Sequence, residues 1–90
     1  MLECLLKITG KVQGVFYRAT TQKKAQELGV VGWVRNCSDG SVEAFFQGKE
    51  DVLVAITDWC WHGSDYAQVE NVVVLYSKPC MDACDRFTIR

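Results

Sequence analysis

The chain has almost no surplus charge of either sign. Lys and Arg total 10 against 11 Asp and Glu, a formal net charge of −1, and the two signs are interleaved. That balance excludes a general electrostatic pull toward nucleic acid or an anionic membrane. Long apolar runs are also missing. Val72-Val73-Val74-Leu75-Tyr76 is among the longest and is far too short to span a bilayer. The opening residues Met1-Leu2-Glu3-Cys4 have neither the basic stretch nor the apolar core of a secretory signal. No repeat, low-complexity tract or linker divides the sequence. The expectation is one domain over residues 1–90, cytoplasmic and monomeric, with no nucleic-acid or membrane partner.

Histidine is nearly absent: His62 stands alone. A zinc site built from Cys80, Cys84 and His62 lacks a fourth ligand and a familiar spacing, so no metal is expected. His62 reads as a polar residue at the end of a helix, where partial positive charge is favourable. Cysteine is over-used, with Cys4, Cys37, Cys60, Cys80 and Cys84. Without an export signal these read as reduced thiols serving as small hydrophobes. A local disulfide between Cys80 and Cys84 is the open alternative.

Apolar residues make up 49% of the chain, enough for one modest core. Alternation and helical spacing predict strands over residues 3–10, 30–37, 41–48, 67–76 and 87–90, and helices over 18–28 and from 49 to about 63. Tyr17, Thr21, Ala25 and Leu28 form one face of the first helix, and Gly29 stops it. Val52, Ile56 and Trp59 are expected on the apolar face of the second. Asp39-Gly40 signals a hairpin, and residues 78–85 read as a loop. The order β-α-β-β-α-β is the split βαβ arrangement of the ferredoxin-like α+β fold. Two helices lie on one face of a mostly antiparallel sheet, with a short fifth strand closing it. A right-handed crossover makes the first two strands parallel, so both end at the same sheet edge.

That edge is where the chemistry gathers. The segment Gly10-Lys11-Val12-Gln13-Gly14-Val15-Phe16-Tyr17-Arg18 runs from a strand through a glycine-bearing loop into a helix. Free N–H groups and the positive helix end make such a junction an anion site. Glycine lets the backbone approach the anion, and Arg18 adds a planar fork that matches phosphate or carboxylate. The loop has neither the Gly-Lys-Ser/Thr of a Walker A loop nor the G-x-G-x-x-G of a dinucleotide site. Asn36, near the end of the second strand, lies at the same edge.

The loop resembles the acylphosphatase signature G-x-V-Q-G-V-x-F/Y-R. Gly32-Trp33-Val34-Arg35-Asn36 and Asp39-Gly40-Ser41-Val42-Glu43 match the second half of that family's pattern at its spacing. The resemblance implies hydrolysis of acyl phosphates, which are carboxylic–phosphoric anhydrides, with no cofactor. Inorganic phosphate is the implied product and competitive inhibitor. The matching arginine, Arg18, binds the phosphate, and the matching asparagine, Asn36, positions the attacking water. The backbone of Gln13, Gly14, Val15, Phe16, Tyr17 and Arg18 forms the rest of the cradle, with Gln13 orienting the loop.

Physical chemistry makes this economical. The leaving group is a carboxylate, stable near neutral pH, so no general acid is required. The phosphoryl group can itself accept the water's proton. What remains is positioning and stabilisation of negative charge.

The sequence departs from the family pattern in three places. Phe16 stands where glycine is common, and its ring is expected to project outward or against the neighbouring helix. Tyr17 replaces the commoner Phe, and its hydroxyl needs a partner if buried. The turn Gly63-Ser64-Asp65-Tyr66-Ala67 lacks a frequent proline. Other readings are a stand-alone anion- or phosphate-binding module, an RNA-recognition domain, and an acylphosphatase-like domain acting on carbamoyl phosphate. Phe45-Phe46 is the feature that suggests RNA, but alternation puts the two rings on opposite faces, and the basic glycine-containing RNA motif is absent.

Overall fold

Period-two alternation sets the sheet. In the computed structural model, which describes residues 1–90, strand β1 (Leu2–Lys11) buries Cys4, Leu6 and Ile8 on one face. Helix α1 (Tyr17–Leu28), strands β2 (Val31–Asn36) and β3 (Val42–Gly48), helix α2 (Glu50–Cys60), strand β4 (Gln68–Pro79) and strand β5 (Phe87–Ile89) follow in that order. The sheet order is β4-β1-β3-β2-β5. All pairings are antiparallel except β2 with β5. This is the expected ferredoxin-like α+β arrangement.

Leu6 and Ile8 of β1, Val34 of β2, and Val42, Ala44 and Phe46 of β3 meet Tyr17, Ala25, Leu53 and Ile56 of the helices in one core. Gly29 ends α1 by donating its N–H toward the Ala25 and Gln26 carbonyls. Leu28, expected on the buried face, is only half-buried at the core margin. On α2 the buried stripe is Leu53, Ile56 and Cys60, one residue further round than expected; Val52 and Trp59 are half-buried along its edge.

Strand β4 runs through Pro79 rather than stopping at Tyr76, because Cys4, Glu3 and Leu2 pair with Ser77, Lys78 and Pro79. Helix α2 ends at Cys60, short of His62. The segment after β4 is tied down by the buried Gln47. Its Nε2 donates to the Asp82 carbonyl at 2.7 Å, and its Oε1 accepts the Cys84 N–H at 2.7 Å. All five cysteines are free thiols, Cys80 and Cys84 included. On the helix-free face, the Trp33 ring stacks on Phe45 at 5.6 Å with the Arg90 guanidinium 4.6 Å away, so Trp33 is packed rather than open to a ligand. No helix is long and apolar enough to cross a membrane.

Strands β1 and β2 both pair antiparallel with β3, so they run parallel to each other and end at one edge. There the loop leaving β1 and the last residue of β2 come together.

Candidate active site

Gly14 carries the loop through φ +74°, a left-handed conformation that glycine adopts without strain. Gly10 has a different task. A Cβ on Gly10 would lie 2.2 Å from the Gln68 carbonyl oxygen, so this glycine serves the close approach of β4, not access to an anion. Phe16, directly before α1, is the one non-glycine residue at positive φ (65°). Backbone strain of this kind costs roughly 1–3 kcal/mol and tends to be kept at functional sites. The Phe16 carbonyl accepts the Thr20 N–H at 3.0 Å and the Thr20 hydroxyl at 2.8 Å.

The start of α1 is left open. No side chain caps it, and no acidic residue lies in its first turn. Its free N–H groups and partial positive charge are therefore uncompensated from within the chain, which is the condition for taking an anion.

A cavity of about 280 Å³ lies against this helix start. Gly14, Phe16, Tyr17, Arg18 and Asn36 line it together, so the residues singled out in two distant segments share one site. Arg18 is half-exposed, and its Nη1 donates to the Arg90 carbonyl at 3.2 Å. Asn36 ends β2 with Oδ1 buried and without a hydrogen-bond partner. A buried acceptor left unpaired costs about 1–3 kcal/mol, so its persistence at the cavity marks a place for a donor from a bound molecule.

The side chains of Gln13 and Val15 lie away from the cavity. Gln13 Nε2 donates to the Cys37 carbonyl at 2.7 Å and to the Ser41 carbonyl at 2.9 Å, strapping the loop to the hairpin after Asn36. Val15 is buried, and its carbonyl accepts the Ser64 hydroxyl at 2.5 Å. Tyr17 is buried as well; its hydroxyl donates to the Cys60 carbonyl at 2.7 Å, and burial pushes its pKa far above the usual phenol range. The hairpin is pinned from beneath by Lys7, whose ammonium donates to Asp39 at 2.7 Å. That bond, with those from Ser41, holds the Asp39 carboxyl well below the ordinary carboxylate range.

Sequence reasoning missed Val12, Ala19 and Ile89 as cavity walls. It also missed Ser64 as a brace for the loop. Ile89 arrives because β5 pairs beside β2, with Val34 opposite Ile89. The expected closing strand was the only signal for it.

The acylphosphatase family profile matches residues 4–89. A curated acylphosphatase of Haloquadratum walsbyi is 49% identical over 83 residues, which is 92% of this chain and 87% of that protein. The crystal structure of acylphosphatase from Bacillus subtilis superposes with a TM-score of 0.95 at 31% identity, covering 100% of this chain and 99% of that one. The structure of an acylphosphatase from Coxiella burnetii gives a TM-score of 0.88 at 38% identity, covering 99% and 93%.

Proposed function

This chain belongs to the acylphosphatase family and hydrolyses acyl phosphates, and on that premise we propose how its own residues carry the reaction. The phosphate sits against the open start of α1, held by N–H groups of residues 13–18 and by the Arg18 guanidinium. Arg18 exchanges its single bond to the Arg90 carbonyl for a charged, bidentate partner. Asn36 holds the attacking water: its buried Oδ1, unpaired within the chain, accepts a hydrogen bond from the water and aims the water oxygen at phosphorus. That orphaned acceptor, in the same cavity as Arg18, is the observation that carries the reading.

The water oxygen forms a new P–O bond as the bond between phosphorus and the acyl oxygen breaks. The electron pair leaves with the carboxylate, and the water's proton passes to a phosphoryl oxygen, giving carboxylate and inorganic phosphate. Charge on the equatorial oxygens is met by the guanidinium and the helix start. No residue has to change protonation state, and the charge that a metal would otherwise neutralise falls to the guanidinium and the helix start. One chain supplies the whole cavity, so a monomer suffices, and five free thiols suit a reducing cytoplasm.

The test is hydrolysis of benzoyl phosphate with a chelator present and inorganic phosphate as competitor. Rapid, chelator-insensitive turnover with competitive inhibition by phosphate is expected. Loss of turnover on chelation would contradict a cradle made of protein groups alone. Carbamoyl phosphate as a strongly preferred substrate would point to a narrower role.

A further inference from the structure

Phe16 is doubly unfavourable for folding. Its ring is 70% exposed, and its backbone is held at φ 65°, where a glycine would sit without strain. Its backbone part in the cradle and at the start of α1 needs no side chain at all. The ring is nevertheless there, at the rim of the cavity that holds Arg18 and Asn36. It is not alone: Tyr66, from the turn between α2 and β4, is also 70% exposed and lies with its ring 6.2 Å from that of Phe16, tilted by 55°. Two exposed aromatic rings thus meet beside the anion site, one from the loop itself and one from the turn between α2 and β4.

The remaining lining fits the same picture. Arg18 is the only charged residue in the cavity wall; besides it and Asn36 the lining is Val12, Gly14, Phe16, Tyr17, Ala19 and Ile89. An acyl group leaving the phosphate therefore meets apolar surface with no second charge to pair with.

We infer that the Phe16 ring, backed by Tyr66, is the wall of an acyl subsite that favours aromatic and other apolar acyl phosphates over small or charged ones. The inference rests on the phosphate lying in the cradle proposed above. A flat acyl group can stack against Phe16 in the offset or edge-on arrangements that aromatic pairs prefer. An acetyl group has no flat face to stack on it, and an acyl group bearing a second carboxylate would leave that charge unpaired against apolar carbon. Tyr66 acts through Phe16 by restricting its ring.

The test compares kcat/KM for benzoyl phosphate with that for acetyl phosphate in the wild type, Phe16→Gly, Phe16→Leu and Tyr66→Ala. Glycine suits the backbone at this position, so Phe16→Gly is expected to fold. The benzoyl-to-acetyl ratio should fall roughly tenfold in Phe16→Gly, mainly through KM for benzoyl phosphate, and by less in Phe16→Leu and Tyr66→Ala. An unchanged ratio in Phe16→Gly overturns the subsite. Calorimetry with the inert analogues benzoylphosphonate and acetylphosphonate reads the same preference without turnover, and loss of the difference in Phe16→Gly is again the expected result. Inorganic phosphate reports the cradle alone. If Arg18→Ala binds phosphate as well as the wild type does, the cradle assignment fails, whereas a normal phosphate response with an unchanged ratio in Phe16→Gly fails the subsite only.

Discussion

Gln13 Nε2 donates to the Cys37 carbonyl at 2.7 Å, so a residue of the β1–α1 loop holds the residue that follows Asn36. The second bond, to the Ser41 carbonyl at 2.9 Å, closes the strap across the hairpin. Through these bonds the two halves of the site, far apart in sequence, keep a fixed spacing.

Gln13→Ala should therefore affect both stability and rate. Losing the two bonds is expected to cost about 1–2 kcal/mol in a denaturant titration. The kcat for benzoyl phosphate should fall about tenfold, because a small misplacement of water relative to phosphate is costly. Gln13→Glu should be worse, since a carboxylate would face two carbonyl oxygens. Full kcat in a destabilised Gln13→Ala protein would make the strap structural only.

Arg18→Ala is expected to lower kcat/KM by roughly 10²-fold or more and to weaken competition by inorganic phosphate in step. Stability should change by less than about 1 kcal/mol, because the side chain gives up one bond at the surface, to Arg90. Arg18→Lys should fail nearly as badly, as an ammonium cannot reproduce the planar fork. Steady-state kinetics with phosphate titration on both variants checks this; a lysine variant within tenfold of wild type would contradict a bidentate role.

Two of the five thiols should be inert in the folded protein. Burial pushes Cys4 up to about 11 and Cys60 up to about 12, from an ordinary 9.0. A thiol reagent at pH 8 is expected to label Cys37 and Cys84 readily, Cys80 more slowly because desolvation and Glu3 raise its pKa as well, and Cys4 and Cys60 only on unfolding. The pH dependence of stability has a definite sign. Between pH 9 and about 11 to 12 the unfolded thiols release protons that the folded ones retain. Stability is therefore full below pH 9 and falls as pH rises through that window. Denaturation midpoints measured from pH 8 to 11, with Cys4→Ala as control, test it.

Much of this architecture is legible in the sequence because it is written in local periodicity. Cys4, Leu6 and Ile8 alternate, Thr21 and Ala25 keep helical spacing, and Asp39-Gly40 sits at an observed hairpin. Chain direction alone brings the edge of Asn36 to the loop of Arg18. What local pattern does not encode is where a side chain finds its partner. Gln13 looks like any polar loop residue, yet its amide spans to Cys37 and Ser41. Gly10 looks like a phosphate-loop glycine, yet its constraint comes from Gln68 across the sheet. The extension of β4 to Pro79 follows from pairing with Leu2, a long-range contact that a composition of Ser, Lys and Pro does not announce. The expected outward path of Phe16 is found, but its contact with Tyr66 is not readable from either segment alone.

The most direct measurement is Asn36→Ala, with turnover of benzoyl phosphate and thermal stability read on the same sample. Asn36 Oδ1 accepts from no group of the chain, so its removal breaks no hydrogen bond that holds the fold together. Stability close to that of the wild type is expected, with kcat reduced roughly 10²-fold. Normal turnover in a well-folded Asn36→Ala protein would contradict the assignment of the water to Asn36.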